Sequence, residues 1–222
     1  HEKEVYSWAS TGRQLYEDYD YATGNTKNYT LSLPGIVPED SVWLTTVFAA
    51  RSIGASTYYS VAVNGKVRGN ATLASISSDN QYYTRATSAS ISTSWLGTES
   101  ENTIVTVIHT RPSGTSGRLD YIALNYIRSL TLNAPYLTFR SLASINKETT
   151  FVLSGATAST VVWDVTDPAN ICRMEGSFVG GTYTFTIPAG KLREFVAISP
   201  EASGFDTVET VGNIANQNLH SL

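Results

Sequence analysis

The sequence predicts an all-β protein, and three observations carry that prediction. Apolar residues alternate with polar ones at period two along most of the chain. Turn signals recur at "LPGIVPED", "RPSGTSGR", "LNAPY", "DPAN" and "VGGT". No stretch before residue 205 shows the i, i+3, i+4, i+7 stripe of an amphipathic helix. Together they describe short strands joined by tight turns, the pattern of a β-sandwich or jelly roll.

The elements follow in order. "SVWLTTVFAA" (41–50) is apolar on both sides, with Val42, Leu44 and Phe48 set against Trp43 and Val47, which predicts a strand covered on both faces. "STYYSVAVNGKVRGNATL" (56–73) is a hairpin whose Asn64-Gly65 supplies the two positive-φ positions of a type I′ turn. "NTIVTVIHT" (102–110) and "RLDYIALNYIRSLTL" (118–132) are further strands. The proline of "LNAPY" (132–136) then breaks the run. A second set of strands follows: "LTFRSL", "TTFVLSG", "TVVWDVTD", "ICRMEG", "TYTFTIP" and "REFVAISP". In "TYTFTIP" the alternation sends Tyr183, Phe185 and Ile187 inward and the threonines outward.

The expected organisation is therefore a jelly-roll-like β-sandwich over 1–130, a smaller Ig-like β-sandwich domain over 131–205, and a linker over 206–222. The chain has 222 residues, enough to bury a real core without a disulfide or metal staple. Its formal net charge of -4 argues against nucleic acid or an anionic membrane surface as partner. No stretch reaches the roughly 18 apolar residues of a transmembrane span. Charged residues are 15% of the chain, below the roughly 25% of ordinary soluble domains. Ser, Thr, Asn and Tyr take their place.

Candidate chemistry is sparse. The histidines are His1, His109 and His220; His109 closes the strand "TIVTVIH" and reads as a structural strand-end residue, with a catalytic-base role kept open. The one cysteine, Cys172, has no C-x-x-C partner and is expected to be a small buried hydrophobe. Trp163 in "VVWDVTDP" is expected to anchor a core, and Asp167-Pro168 to open a turn whose Asp side chain binds backbone amides. Asp164 and Asp167 are three apart on an expected strand, so they do not make a carboxylate pair. In "YEDYDYATGN", Asp18 and Asp20 are candidate oxygen ligands for calcium, although Ala22 stands where an EF-hand loop needs its third oxygen. The alternative is a plain alternating stretch with Glu17 facing away from both aspartates. Aromatic platforms for sugars are the other candidate: Tyr58, Tyr59, Tyr82 and Tyr83 form two adjacent pairs, of which alternation turns one member of each outward. Asn28-Tyr29-Thr30 and Asn70-Ala71-Thr72 match the N-glycosylation acceptor, which matters only in a eukaryotic secretory protein.

Four strings are similar to one family: "SWASTGRQLYEDYDY", "GRLDYIALNYIRSL", "VVWDVTDPANICRM" and "ANQNLHSL". They resemble the β-rich region upstream of the catalytic domain in gingipain-family cysteine peptidases of Bacteroidetes, and within that family the sortase branch of the type IX secretion system. The resemblance implies a location in the cell envelope, at the outer-membrane surface or secreted. It implies as partners the chain's own downstream peptidase domain and secreted proteins carrying a C-terminal sorting signal. It also implies that catalysis lies elsewhere: the family's His/Cys dyad belongs to a caspase-like domain expected to begin where this sequence stops. Neither His220 nor Cys172 sits in a matching motif, so no catalytic residue is carried over. On this expectation "VGNIANQNLHSL" is the edge of a missing domain. The competing expectations are a carbohydrate-binding module and a surface adhesin.

Overall fold

A computed structural model describes residues 1–8, 14–77, 86–97, 100–206, 209 and 212. Fourteen strands and one three-residue 3-10 turn, Leu142–Ser144, make up the regular structure among them. The chain divides into two compact units, 1–129 and 130–222.

The first unit contains β1 (Thr26–Ser32), β2 (Ser41–Arg51), β3 (Thr57–Val63), β4 (Lys66–Leu73), β5 (Thr87–Leu96), β6 (Asn102–Thr110) and β7 (Ser116–Tyr126). Two antiparallel sheets form, in the orders β1-β6-β3-β4 and β5-β2-β7. The β3–β4 hairpin turns on Asn64 and Gly65 at φ 48° and 79°, the left-handed pair that a two-residue I′ turn requires. In β2 the inward residues Val42, Leu44, Phe48 and Ala50 are buried, and Thr46 shares that face. Of these, Leu44, Phe48 and Ala50 meet Leu119 and Ile122 of β7 and Val61, Val63, Val105 and Val107 of the other sheet in one apolar cluster. The outer face of β2 is more open than its sequence suggests. Trp43 is 40% exposed and lies in register between Ser94 of β5 and Asn125 of β7. The expectation of a strand covered on both faces is corrected here. The apolar run reflects a central position in the sheet; its outward side is open at Trp43, half-buried at Val47 and covered at Ala49.

The second unit contains β8 (Tyr136–Arg140), β9 (Thr149–Ser154), β10 (Val161–Asp164), β11 (Cys172–Arg173), β12 (Ser177–Val179), β13 (Thr182–Ile187) and β14 (Glu194–Ile198). Its sheets run β11-β10-β14-β8 and β12-β13-β9, all antiparallel. Phe139, Phe151, Phe185 and Phe195 meet at its centre, Phe151 and Phe185 stacked with centroids 5.1 Å apart. Tyr183, Phe185 and Ile187 are buried as their alternation demands. Both units are thus β-sandwich-like, and the fold is all-β.

Two expectations in this unit are corrected. Val162 and Asp164 of β10 are the buried residues, so Trp163 between them points to the outer face and is only half-buried. Cys172 is exposed, because β11 is a two-residue edge strand and both its residues face solvent.

Candidate functional site

The irregular segment 14–25 leads into β1 and runs along β7, where it gathers most of the polar chemistry of the first unit. Its backbone is laid on that strand by Glu17 N–H donating to Leu119 O at 3.0 Å and Tyr21 N–H to Gly117 O at 2.9 Å. Arg118 of β7 donates through Nη1 to the carbonyls of Glu17 and Asp18. Its guanidinium also stacks 3.3 Å from the centre of the Tyr6 ring. Arg111 closes the other end, donating from Nε and Nη2 to the carbonyls of Tyr21 and Ala22.

Glu17, within this segment, has its side chain fully buried. Its Oε1 lies 2.7 Å from Lys27 Nζ and 3.2 Å from His1 Nε2, and its Oε2 accepts from Tyr29 Oη at 2.5 Å. Tyr29 Oη in turn sits 3.0 Å from Tyr21 Oη. Burial, the neighbouring Tyr21 and the Glu17 carboxylate push the Tyr29 phenol far above its ordinary value. A buried carboxylate with one cation and two polar partners has its desolvation offset by them, so removing one partner alone is costly.

Asp20 is equally committed. Its Oδ1 accepts from Ala22 N–H and Gly117 N–H, and its Oδ2 from Ser116 Oγ and Arg118 Nη2. Burial alone would raise its carboxyl, but the bonds from Ala22, Ser116 and Gly117 and the Arg118 charge outweigh that and hold it below the ordinary range. Asp18 is exposed and turned away. Among the described residues no group of three or more His, Cys, Asp or Glu side chains is placed to hold a metal ion. Asp18 and Asp20 therefore do not fit a calcium centre. One points to solvent, and the other has both oxygens taken by protein donors.

Of the four sugar-platform candidates, Tyr82 and Tyr83 lie outside the described residues, as does His220. The other pair splits as alternation demands. Tyr58 is 53% exposed on the outer face of β3, in register with Thr72 of β4 and Thr110 of β6. Tyr59 points into the core with no exposed surface. It is the middle of a three-ring stack, 4.3 Å from Phe48 on one side and 4.1 Å from His109 on the other, with Tyr21 edge-on at 5.6 Å.

His109 is fully buried, and neither ring nitrogen has a hydrogen-bond partner. Burial, reinforced by the Arg111 charge and offset in part by Asp20, lowers its pKa to about 4. The ring is sealed from solvent and neither nitrogen reaches a partner, so it is not arranged as a general base. Gly117 lies directly over it: a Cβ there would collide with His109 Nδ1 and Tyr59 Oη.

In the second unit Asp164 is buried; its Oδ1 accepts from Thr166 N–H and Oγ1, and its Oδ2 lies 3.4 Å from Arg193 Nη1. Asp167 Oδ1 accepts from Ala169 N–H at 3.0 Å and Oδ2 from Asn170 Nδ2 at 2.8 Å, the turn-opening role its Pro168 neighbour suggested. Those side-chain bonds hold its carboxyl below the ordinary range. Among the described residues the partners of these two aspartates are Thr166, Arg193, Ala169 and Asn170, which fix local turns and strand ends.

Sequence reasoning missed the Arg118 clamp and the Glu17 network. Glu17 shares parity with Tyr19 and Tyr21, a hint that it turns inward. Nothing local announces Arg118, because its partners lie about a hundred residues earlier in the chain.

No family model and no curated protein matches the chain. Among solved structures, dimeric latent PorU from Porphyromonas gingivalis matches 89% of this chain with a TM-score of 0.76 at 21% sequence identity. That likeness is one of fold, and the chain spans only 20% of the length of the PorU chain it matches. The region of likeness takes in both units, since the first holds 129 of the residues and the match is longer than that. The tandem CBM22 domains of Paenibacillus barcinonensis Xyn10C align over 80% of the chain at 11% identity, with a TM-score of 0.28, too low to indicate a shared fold. The chain thus resembles a β-rich portion of PorU, and no catalytic domain is evident in its described residues.

Proposed function

We propose that this chain is a non-catalytic β region of a gingipain-like, PorU-type cysteine peptidase at the cell surface. Its role is to position the peptidase domain or to engage secreted proteins that carry a C-terminal sorting signal. The observation that carries the reading is the fold-level match to PorU along nearly the whole chain. The side-chain chemistry supports it. The buried polar groups of 14–25 are consumed in holding the fold together, His109 is buried without a partner, and Cys172 lies exposed on an edge strand. The test has two arms. The purified chain is assayed for cleavage of peptide substrates and is expected to show none; turnover that survives purification and disappears with Cys172→Ala would overturn the reading. The chain is also presented with proteins that carry or lack a sorting signal, and signal-dependent retention identifies the substrate-engaging role over the positioning one.

A second reading, a glycan-binding surface, rests on Tyr58 alone. It is a half-exposed ring flanked across the sheet by threonine hydroxyls. Loss of retention on a glycan array in Tyr58→Ala, with an unchanged melting temperature, would support it. An array without hits removes it.

A further inference from the structure

The second unit has two outer sheet faces, and they differ in chemistry. On the β12-β13-β9 sheet the outward residues are threonines and serines, with Val152 and Val179 between them. Thr150 and Thr186 share a hydrogen bond across the strands at 2.8 Å. Such a face suits water, with hydroxyls outward and the apolar alternates in the core. The outer face of β11-β10-β14-β8 is of another kind. Val161, Ile198 and Tyr136 stand side by side in one cross-strand row. Trp163 and Val196 stand side by side in the next, flanked by Arg173 and Thr138. Tyr136 is 58% exposed, and the other apolar side chains of the two rows are half-buried. The inner core does not use them: Leu137, Val162, Phe195 and Ala197 supply that side of the sheet. Next to Val196 is an open hollow of about 300 Å³, walled by Thr138, Val165 and the Arg140–Glu194 pair, which closes at 2.6 Å.

Single apolar residues on a surface need no explanation, but a contiguous patch around a tryptophan marks a place where something binds. Trp43 of the first unit shows the contrast, since it stands between Ser94 and Asn125. The β11-β10-β14-β8 face also has the anatomy of an interface: an aromatic and aliphatic centre, a hollow beside it, and arginines at the rim. We propose that this face is the seat of the peptidase domain. The inference rests on the reading that the chain positions such a domain, and it names the surface that does so. The occupant is argued from length: the chain spans 20% of the PorU chain it resembles, so a PorU-type protein has a far larger body to place against this region. The face sets the chemistry of that body's contact. It carries an apolar recess for the Trp163 ring, an apolar side chain that enters the hollow beside Val196, and a carboxylate opposite Arg173.

The experiment measures the affinity of the full chain for a separately produced PorU-type peptidase domain, in the wild type and three variants. Trp163→Thr gives the centre of the face the chemistry of the opposite one. Thr138→Arg puts a bulky charge on the same face at a position already exposed. Val152→Arg does the same on the threonine face, where its residue is also exposed. Expected is a loss of at least about 30-fold in affinity for Trp163→Thr and for Thr138→Arg, the size of a central contact or of a charge left unpaired in an interface. Val152→Arg should bind as the wild type does, and each variant should melt near the wild-type temperature. If Trp163→Thr does not fold, the comparison of Thr138→Arg with Val152→Arg decides. Wild-type affinity in every variant overturns the choice of face and leaves the positioning role standing. No binding by the wild type overturns both. An equal loss in Thr138→Arg and Val152→Arg overturns the proposal as well. So does sedimentation of the chain alone as a dimer that Thr138→Arg dissociates, because the face would then belong to a second copy.

Discussion

Replacing Lys27 by methionine isolates the buried carboxylate of the first unit. Lys27 Nζ lies 2.7 Å from Glu17 Oε1; the lysine side chain is 26% exposed, that of Glu17 only 1%. Methionine keeps the aliphatic stem and removes the charge. Glu17 then remains in the core with the Tyr29 hydroxyl and the His1 ring as its only close polar side-chain partners among the described residues. Breaking a buried pair from one side costs about 3–5 kcal/mol. The partly wet ammonium and the surviving tyrosine bond place this case at the low end, about 3 kcal/mol. Urea unfolding followed by tryptophan fluorescence reads it, because Trp8, Trp43 and Trp95 lie in the first unit and Trp163 alone in the second. The second variant is Glu17→Gln with Lys27→Met, which removes both charges. It is expected to recover most of the loss, since the side-chain amide oxygen that replaces the carboxylate still accepts from Tyr29. A Lys27→Met loss below about 1 kcal/mol would refute the claim that Glu17 depends on this partner. A double variant less stable than the single would refute it too.

Three further outcomes are expected. Gly117→Ala puts a methyl against two rings that the core holds in place, and should cost the first unit about 1–3 kcal/mol in the same urea experiment. Cys172 should react with a thiol reagent in the native chain as fast as in the unfolded one, because its strand is at the sheet edge and exposed; protection in the native state would contradict its placement. Excess calcium or a chelator should leave the melting temperature of the chain unchanged, since the Asp20 oxygens already have four donors and Asp18 faces solvent.

The sequence shows its strands because period two survives wherever one face is buried. "TYTFTIP" and the Asn64-Gly65 hairpin are read directly from local rules, and the structure places them accordingly. Inner and outer faces are less legible. Trp43 and Trp163 are large and apolar, so composition sends them inward, but register places both on outer faces. Register is a property of the paired strands, and a single strand does not announce its own parity in a sheet. Cys172 misled for a related reason: burial statistics for cysteine do not know that the residue falls on a two-residue edge. The polar heart of the first unit was legible only as composition. "YEDYDY" displays its carboxylates, whereas the residues that satisfy them, Lys27, Gly117 and Arg118, are supplied by the fold. His109 could be recognised as a strand-end residue, but its isolation depends on Gly117 and Tyr59 arriving from other strands.

The most direct measurement of the central claim is a calorimetric titration of the intact chain with a separately produced PorU-type peptidase domain. A non-catalytic region that positions that domain binds it saturably, one to one, and adds no hydrolytic activity of its own. A titration with no heat and no complex on gel filtration, at concentrations where both proteins are folded, would contradict the positioning role. If signal-dependent retention of secreted proteins were also absent, the assignment to a peptidase's accessory region would fall.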